Sequence, residues 1–519
     1  MTRKEFLHVT TRGTVASLAA GCTIGSMAAS PVLGEPGSEA EPGPGTEAQQ
    51  PRTSFPAGAT AALVDFIAHA GFDRMPDKAV VEAKRCLIDG FGVILAGATV
   101  HGSAIVREHV KASASRAEST LLGPVLMSAT AAQAALANAA SGHAMDYDDT
   151  QLSTTPDRVF GLLTHPTVPA LSASLAVGER LGVSGRVFLE AFLTGFEVEC
   201  KIAEAINPSH YQRGFHSTGT IGTFGATASV AKLLKLSPAA TAHALGIAAS
   251  MSSGIRVNFG SMTKPLHAGR AAENGVTAAE LASRGFTAGD DALDGEWGFF
   301  QVLGGGADLP RLLPALGKPY SIVDPGVSVK PYPCGSLGHP TMDAMLTLVT
   351  GHDVKPDQIA RVRVRAGSNI LNPLRYKTAK TELEAKFCLP FMMASIALRR
   401  RAGIREFTDE FVASAPVQAM MARVDTIFDR DIEARGFDRM RSLVQVDLVD
   451  GRQLAQPSDE RYRGGPDRPF TRAELHEKFT DCASLVLSPE RIRRALELIE
   501  SVEQIRNVRE LVQALAPLG

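Results

Sequence analysis

The chain has 519 residues, 45% of them hydrophobic and 21% charged, and its 53 basic and 55 acidic residues leave a formal charge of -2. This is the composition of a globular protein with room for two or three domains, and the balanced charge gives no reason to expect nucleic acid or an anionic membrane as a partner. The six cysteines are widely spaced without a CxxC pair, which excludes common zinc-binding and thioredoxin-like motifs.

Residues 1–33 look like an export signal. Basic residues Arg3 and Lys4 precede a run of small and apolar residues, TVASLAAGCTIGSMAAS, that is too short to span a bilayer. The string TRKEFL is similar to a twin-arginine signal with lysine in the second place. We therefore expect a periplasmic or exported protein whose mature chain does not insert into the membrane. A cytoplasmic protein with an amphipathic tail is the alternative, and Cys22 leaves lipidation open.

Residues 34–56 are rich in Gly, Pro, Glu and Ser and contain few large apolar side chains. Such a segment buries too little apolar surface to offset the entropy of ordering. We predict a flexible linker here, with the mature domain beginning at residue 57.

From residue 57 to residue 320 the apolar residues recur mostly at three- and four-residue spacing, which predicts helices. Gly219, Gly222 and Gly225 lie three apart in GTIGTFGATASVAKLL and would let neighbouring helices approach closely. The GK[ST] ending of a phosphate-binding loop is missing from this glycine-rich stretch.

The pattern changes between residues 321 and 453. IARVRVRAG alternates as a strand does, and LVQVDLVDGRQLA reads as a hairpin turning at Asp450 and Gly451. Helical spacing returns over 454–519, where Ser488 and Pro489 form a plausible helix start. The predicted fold is mainly α: a large all-helical domain, interrupted by a smaller α+β lid and completed by the C-terminal helices.

The first candidate site segment is SGHAMDYDDT at the end of an alanine-rich helix. If the helix continues, Asp146, Asp149 and Thr150 share one face. The aspartates could bind Mg²⁺, or they could simply cap a solvated helix end.

Three further segments carry protonatable groups beside glycine or proline. His165 precedes Pro166, and His216 stands before Ser217 and Thr218 at the start of a glycine-rich helix, a place that favours an anion. The remaining two segments supply possible carboxylate-binding or proton-transfer groups: Lys264, His267 and Arg270, then Lys330, Tyr332, Cys334 and His339.

Together, HAMDYDDT, THP, GFHSTGTIGTFGA, GSMTKPLHAGRAAENG, VKPYPCGSLGHPTMDA and EAKFCLPF resemble the MmgE/PrpD superfamily in order and spacing, over nearly everything after the linker. The family includes 2-methylcitrate dehydratases, cis-aconitate decarboxylases and an iminodisuccinate epimerase. The resemblance implies a helical domain split by an α+β lid, a homodimer, and a small polycarboxylate substrate handled without a metal or organic cofactor.

Carried over by motif, the active-site cleft uses Asp146, Thr150, His165, His216, Lys264 and Lys330. We assign proton transfer to His216, with His165 second, because a neutral imidazole can act as base or acid near neutral pH. Lys264 and Lys330 would stabilise negative charge, and Asp146 would orient a histidine or lysine or transfer a proton itself. Thr150, Lys330, His267 and His339 are the predicted substrate-binding residues.

This chain departs from the cis-aconitate decarboxylases at three places. QLSTTPDRVFGLL lengthens the interval between Thr150 and His165, Gly335 replaces a histidine, and Phe391 stands where a catalytic tyrosine aligns. We therefore favour a lyase of the 2-methylcitrate dehydratase kind. The alternatives are a polycarboxylate isomerase, epimerase or decarboxylase, or an exported carboxylate-binding protein without turnover.

Overall fold

The computed structural model describes residues 58–113, 116–152 and 163–517. The predicted export signal at 1–33, Cys22 and the predicted linker at 34–56 lie outside these residues, as does the segment 153–162. The described residues belong to one compact unit, Ser54–Gly519.

A body of helices forms where the apolar spacing predicts it. Some of these helices begin at side-chain caps, such as Ser184, whose hydroxyl accepts a hydrogen bond from the amide of Val187. In chain order the helices are α1 Ala59–His69, α2 Asp77–Gly97, α3 His101–Ala112, α4 Ala131–Ala144, α5 Thr167–Leu181, α6 Gly185–Ile206, α7 Ser209–Gln212, α8 Ser217–Thr220, α9 Gly222–Leu233, α10 Pro238–Met251, α11 Thr263–Ser283, α12 Phe299–Val302 and α13 Leu309–Ala315.

The body is not entirely helical, which corrects the all-helical prediction. Strands β1 (Ser119–Leu121) and β2 (Met127–Ala129) form a short antiparallel pair between α3 and α4. Three-residue strands are too short to show a clear alternation in the sequence.

Glycine lets α11 pack closely on α4, and α9 on α6. A Cβ on Gly269 of α11 would lie 2.7 Å from the carbonyl oxygen of Leu136 in α4, and one on Gly225 of α9 would lie 3.1 Å from the carbonyl oxygen of Gly195. The predicted role of Gly225 in close helix approach is therefore confirmed.

The lid is built around a four-stranded sheet in the order β4 (Val424–Phe428), β3 (Ile359–Ala366), β5 (Ser442–Leu448) and β6 (Gln453–Pro457). Strand β3 pairs in parallel with β4 and antiparallel with β5, and β5 and β6 form the predicted hairpin, with Gly451 at a φ of 89°. The lid elements are α14 His339–Gly351, β3 Ile359–Ala366, α15 Ser368–Leu371, α16 Glu382–Ala385, α17 Leu389–Arg399, α18 Asp409–Ala413, α19 Ala415–Met421, β4 Val424–Phe428, α20 Arg430–Ala434, β5 Ser442–Leu448 and β6 Gln453–Pro457.

The last three helices pack on the body. They are α21 Arg472–Ala483, α22 Pro489–Glu500 and α23 Arg509–Leu515. Phe479 and Ile499 join the same apolar core as Phe91 of α2. The chain therefore leaves the body, builds the lid and returns.

The boundaries at 320/321 and 453/454 stay predictions, and the chain passes between the two apolar cores near them. Val329 still belongs to the body core, whereas Tyr332 belongs to the lid core. Tyr462 belongs to the lid core, and Phe470 is back in the body core. The segments next to these changes have little regular structure, so apolar spacing could not place them.

Among the described residues, no single helix has both the length and the apolarity needed to cross a membrane. Only α2 and α3 taken together have them, and this pair is bent by 84° at its break.

Candidate functional site

The site is organised by the turn that follows α4. The helix ends at Ala144, and Asp146 adopts a left-handed conformation with a φ of 51°. Thr150 then pairs with Ser328 through two backbone hydrogen bonds of 2.9 and 2.8 Å, while the carboxylate of Asp149 accepts one from the Thr167 hydroxyl at 2.5 Å. The prediction that Asp146, Asp149 and Thr150 share a helix face is therefore wrong, because the helix does not continue.

Three buried lysines, one each from the lid, the segment before the lid and α21, hold this turn. They donate to its backbone carbonyls: Lys386 to Ala144 at 3.1 Å, Lys330 to Asp146 at 2.9 Å and Lys478 to Tyr147 at 2.8 Å. Cations at the C-terminal end of a helix also interact favourably with its dipole. The turn is thus fixed by parts of the chain that are far apart in sequence.

Asp146 lies between two ammonium groups. Its Oδ1 is 2.6 Å from Nζ of Lys264 and 3.0 Å from Nζ of Lys330. Burial disfavours the ionised carboxyl, but the attraction of Lys264 and Lys330 outweighs it and holds the pKa of Asp146 well below its usual range. Burial also lowers the pKa of Lys264, which Asp146 opposes. The low Asp146 pKa indicates that the carboxylate stays ionised.

A cavity lies in front of this turn, between the body and the lid. Its lining contains both polar and apolar side chains. Its lining residues are Asp146, Thr150, Leu152, Leu163, His165, Tyr211, His216, Phe259 and Lys264 from the body, and Gly335, Ser336, Leu337, Pro373, Leu374 and Phe387 from the lid. The structure thus brings together five of the predicted site residues: Asp146, Thr150, His165, His216 and Lys264.

His216 presents a free nitrogen at this cavity. The side chain is buried, its Nδ1 is 3.0 Å from Nδ1 of His267, and its Nε2 has no hydrogen-bond partner among the described residues. Burial, reinforced by the nearby Lys264, holds the pKa of His216 well below its usual range. The ring is therefore a neutral imidazole, and its Nε2 is a base in the tautomer in which Nδ1 donates to His267.

His165 is also poised as a neutral ring. Its Nδ1 lies 2.7 Å from the carbonyl oxygen of Asp149 and therefore donates the proton, which leaves Nε2 as the acceptor. Burial lowers the pKa of His165 well below the usual value. A second base is thus available among the residues that line the cavity.

Three predicted substrate-binding residues do not line the cavity. Lys330 is occupied with Asp146, and His267 with His216. Nδ1 of His339 is 2.5 Å from the Tyr462 hydroxyl, and its Nε2 is 3.1 Å from the carbonyl oxygen of Cys334. The substrate-binding role expected for His339 does not fit this geometry, because both ring nitrogens have protein partners. Lys330 and His267 contact cavity-lining residues, Asp146 and His216 respectively.

His143 and Asp148 were missed in the sequence although both stand in SGHAMDYDDT. The Asp148 carboxylate oxygens are 2.8 and 3.0 Å from Nδ1 of His143, and the Nε2 of that ring is 2.7 Å from Nζ of Lys264. A continued helix would not bring Asp148 back onto His143. The left-handed turn at Asp146 does so, and a non-glycine residue in this conformation has no clear sequence signal.

The same cluster bears on metal binding. His143, Asp146 and His165 offer ligand atoms within 4.8 Å of one another. Two of these three, His143 and Asp146, already accept hydrogen bonds from the Lys264 ammonium group. A divalent cation would have to displace that ammonium group, so the described residues do not form a suitable metal site while Lys264 is in place.

The departures at Gly335 and Phe391 have different structural meanings. Gly335 lines the cavity, and a Cβ there would lie 2.7 Å from Cδ2 of Leu374, so a larger residue would require Leu374 to move. The Phe391 ring packs in the lid core, 5.1 Å from the Phe407 ring, and does not line the cavity. The phenol that does line it belongs to Tyr211.

Comparison with known proteins gives a consistent result over both parts of the chain. Residues 61–312 match the MmgE/PrpD N-terminal domain, and residues 332–504 match the MmgE/PrpD C-terminal domain. The cis-aconitate decarboxylase of Homo sapiens is 26% identical over 438 residues, which cover 82% of this chain and 88% of that protein. A cis-aconitate decarboxylase of Aspergillus terreus is 23% identical over 478 residues, covering 86% and 93%. The matches to both domain models show that this chain belongs to the MmgE/PrpD family.

Proposed function

We propose that this chain is a lyase that acts on a small di- or tricarboxylate by proton transfer next to a carboxylate. The observation that carries the proposal is Nε2 of His216, a buried nitrogen that has no hydrogen-bond partner in the described part of the chain and lies on a cavity that Lys264 also lines. A base and a cation on one cavity wall suit the removal of a proton whose loss leaves negative charge on the substrate.

The residues divide the work by chemistry. The substrate carboxylate next to the reacting carbon would bind at Lys264 and spread the charge that develops when His216 takes the proton. Oδ2 of Asp146, which has no partner among the described residues, would accept a hydrogen bond from the substrate hydroxyl. The hydroxyls of Thr150 and Tyr211 would donate to a second carboxylate. In a dehydration, the neighbouring C–O bond then breaks, and the hydroxide leaves as water with the equivalent of the proton that His216 removed.

We favour a 2-methylcitrate dehydratase-like reaction because of the apolar lining around Gly335 and Leu374. Leu374 packs where a side chain at position 335 would extend, so this end of the cavity suits an alkyl substituent better than a further carboxylate. Decarboxylation of cis-aconitate is the second candidate, because the relatives bear that name. In that reaction the C–C bond to a carboxylate breaks, CO₂ leaves and the carbanion receives a proton. Epimerisation, isomerisation and binding without turnover are the remaining alternatives.

The test uses 2-methylcitrate, citrate and cis-aconitate in D₂O, with deuterium incorporation and product followed by NMR. We expect exchange or turnover of at least one compound, and His216→Gln should lower its kcat about 10²- to 10⁴-fold. The control is His243→Gln, a half-buried histidine that accepts a hydrogen bond from Ala288 outside the cavity. Binding by the parent protein without exchange or product would instead support a carboxylate-binding protein.

Export, the homodimer and independence from cofactors stay predictions. Gel filtration with light scattering tests the dimer.

A further inference from the structure

His143 is buried at the centre of the site without touching the cavity. Its ring lies 4.6 Å from the His165 ring and 5.4 Å from the His216 ring, measured between centroids. The proposed reaction assigns it no task, yet both of its nitrogens contact charged groups, the Asp148 carboxylate and the Lys264 ammonium. A buried polar group with such partners constrains its neighbours strongly.

The hydrogen bonds fix where the proton on His143 lies. An ionised carboxylate only accepts, so Nδ1 of His143 carries the proton and donates it to Asp148. Nε2 then has a lone pair and accepts a hydrogen bond from Lys264, 2.7 Å away. The other tautomer would set a donor against the ammonium group. Asp148 therefore determines whether Lys264 can be held at this point.

We propose that His143 and Asp148 are positioning residues that hold Lys264 as an ammonium group at the cavity wall. Asp148 selects the tautomer of His143. His143 then accepts a hydrogen bond from one N–H of the Lys264 ammonium group, and Asp146 accepts one from a second N–H at 2.6 Å. The third proton remains for a substrate carboxylate. This inference rests on the proposed function for its kinetic test but not for its structural one.

The charged and titratable groups around Lys264 come from several elements. The carboxylates of Asp146 and Asp148 favour its charge, whereas Lys330 opposes it. His143, His165, His216 and His267 surround the same cluster and are all shifted toward the neutral form, burial being the largest cause in each case. The neutral His143 is thus the imidazole that accepts directly from Lys264.

Two substitutions at His143 separate its two contacts. The amide of His143→Gln reaches the place of Nε2 and can accept from Lys264, but it loses Asp148. The amide of His143→Asn reaches the place of Nδ1 and can donate to Asp148, but it loses Lys264. Both variants lose the ring and leave a similar cavity, so each controls for the effect of the other on folding.

We expect kcat/KM for the best compound of the carboxylate panel to fall about ten- to a hundredfold further in His143→Asn than in His143→Gln. The alkaline limb of the kcat/KM profile should move to lower pH in His143→Asn alone, because the ammonium form of Lys264 has lost an acceptor. Equal losses in two folded variants, or a parental profile in His143→Asn, would overturn the proposal.

A measurement without substrate tests the tautomer directly. In protein with ¹⁵N-labelled histidine, NMR should show His143 protonated at Nδ1, with a downfield proton that disappears in Asp148→Asn. A His143 protonated at Nε2 in the parent protein would refute the arrangement whatever the reaction is. If no panel compound turns over, the proposed function fails, while this result still decides the positioning of Lys264.

Discussion

Three aspartates within four residues have three different environments, and Asp149 is the one whose carboxyl group has no lysine or histidine partner among the described residues. It is fully buried, its Oδ1 has no hydrogen-bond partner among the described residues, and Thr167 donates to its Oδ2. Burial, with repulsion from Asp89, raises the pKa of Asp149 to about 8. The folded protein therefore favours protonated Asp149, whereas an unfolded chain ionises it near pH 3.9.

The substitution Asp149→Asn is neutral at low pH, and the free energy of unfolding of the variant should exceed that of the parent by more and more as the pH rises. Below about pH 4 the aspartate is protonated in both states and costs nothing. Between about pH 4 and pH 8 the parent loses up to about 1.4 kcal/mol per pH unit relative to the variant, and the difference is complete above the folded pKa. Urea unfolding at pH 5, 7 and 9 measures it.

Asp148→Asn is the matched control for that experiment. The attraction of His143 and His165 overcomes burial and lowers the pKa of Asp148, so its contribution is present at neutral pH and is lost as the pH falls through the folded pKa. The variant should be less stable than the parent at pH 7. An Asp149→Asn protein that is no more stable than the parent at pH 9 would contradict the assigned environment of Asp149.

At the scale of elements, the distance between α4 and α11 determines how the site residues are spaced. Helix α4 contains His143 and leads into the Asp146 turn, and α11 carries Lys264 and His267. Gly269→Ala should force these helices apart, since its Cβ would lie 2.7 Å from the carbonyl oxygen of Leu136. We expect a loss of about 1–3 kcal/mol in unfolding free energy and weaker binding of the panel compounds.

Gly351→Ala is the control for Gly269→Ala. It changes a helical glycine of α14 with no atom within 4 Å of the added Cβ, and should be neutral or stabilise by up to about 1 kcal/mol. Calorimetry and calorimetric titration compare the two variants. Similar stabilities for both would show that α4 and α11 can move apart freely.

The elements were largely predictable because their signals are local. The apolar spacing of α2 and α6, the alternation of β3 and the turn at Gly451 all appear within short windows of sequence. The site residues beside glycine and proline could be named for the same reason. The contact of Asp148 with His143 could not, because it depends on the backbone turn at Asp146.

At the scale of the whole molecule, Lys386 links the lid to the body. It donates to the carbonyl oxygen of Ala144 at 3.1 Å and forms an ion pair with Glu382. Lys386→Met should release the lid contact and cost about 1–3 kcal/mol, because a buried carbonyl loses a charged donor. Hydrogen exchange should become faster at the amides of residues 145–150.

Lys377→Met is the control for Lys386→Met. Lys377 is an exposed lid lysine that bonds the Thr426 hydroxyl within the lid, so its loss should leave exchange in the turn unchanged. Unchanged exchange in Lys386→Met as well would mean that Lys330 and Lys478 suffice to hold the turn.

The three lysines on the turn after α4 also constrain the order of folding. Their contacts join residues 184, 242 and 331 positions apart, and contacts of such separation form only after long loops have closed. The helices of the body can form before these contacts, but the turn cannot be fixed until the lid and the C-terminal helices have packed against it. A refolding chain would therefore regain its helix content first and the candidate site last.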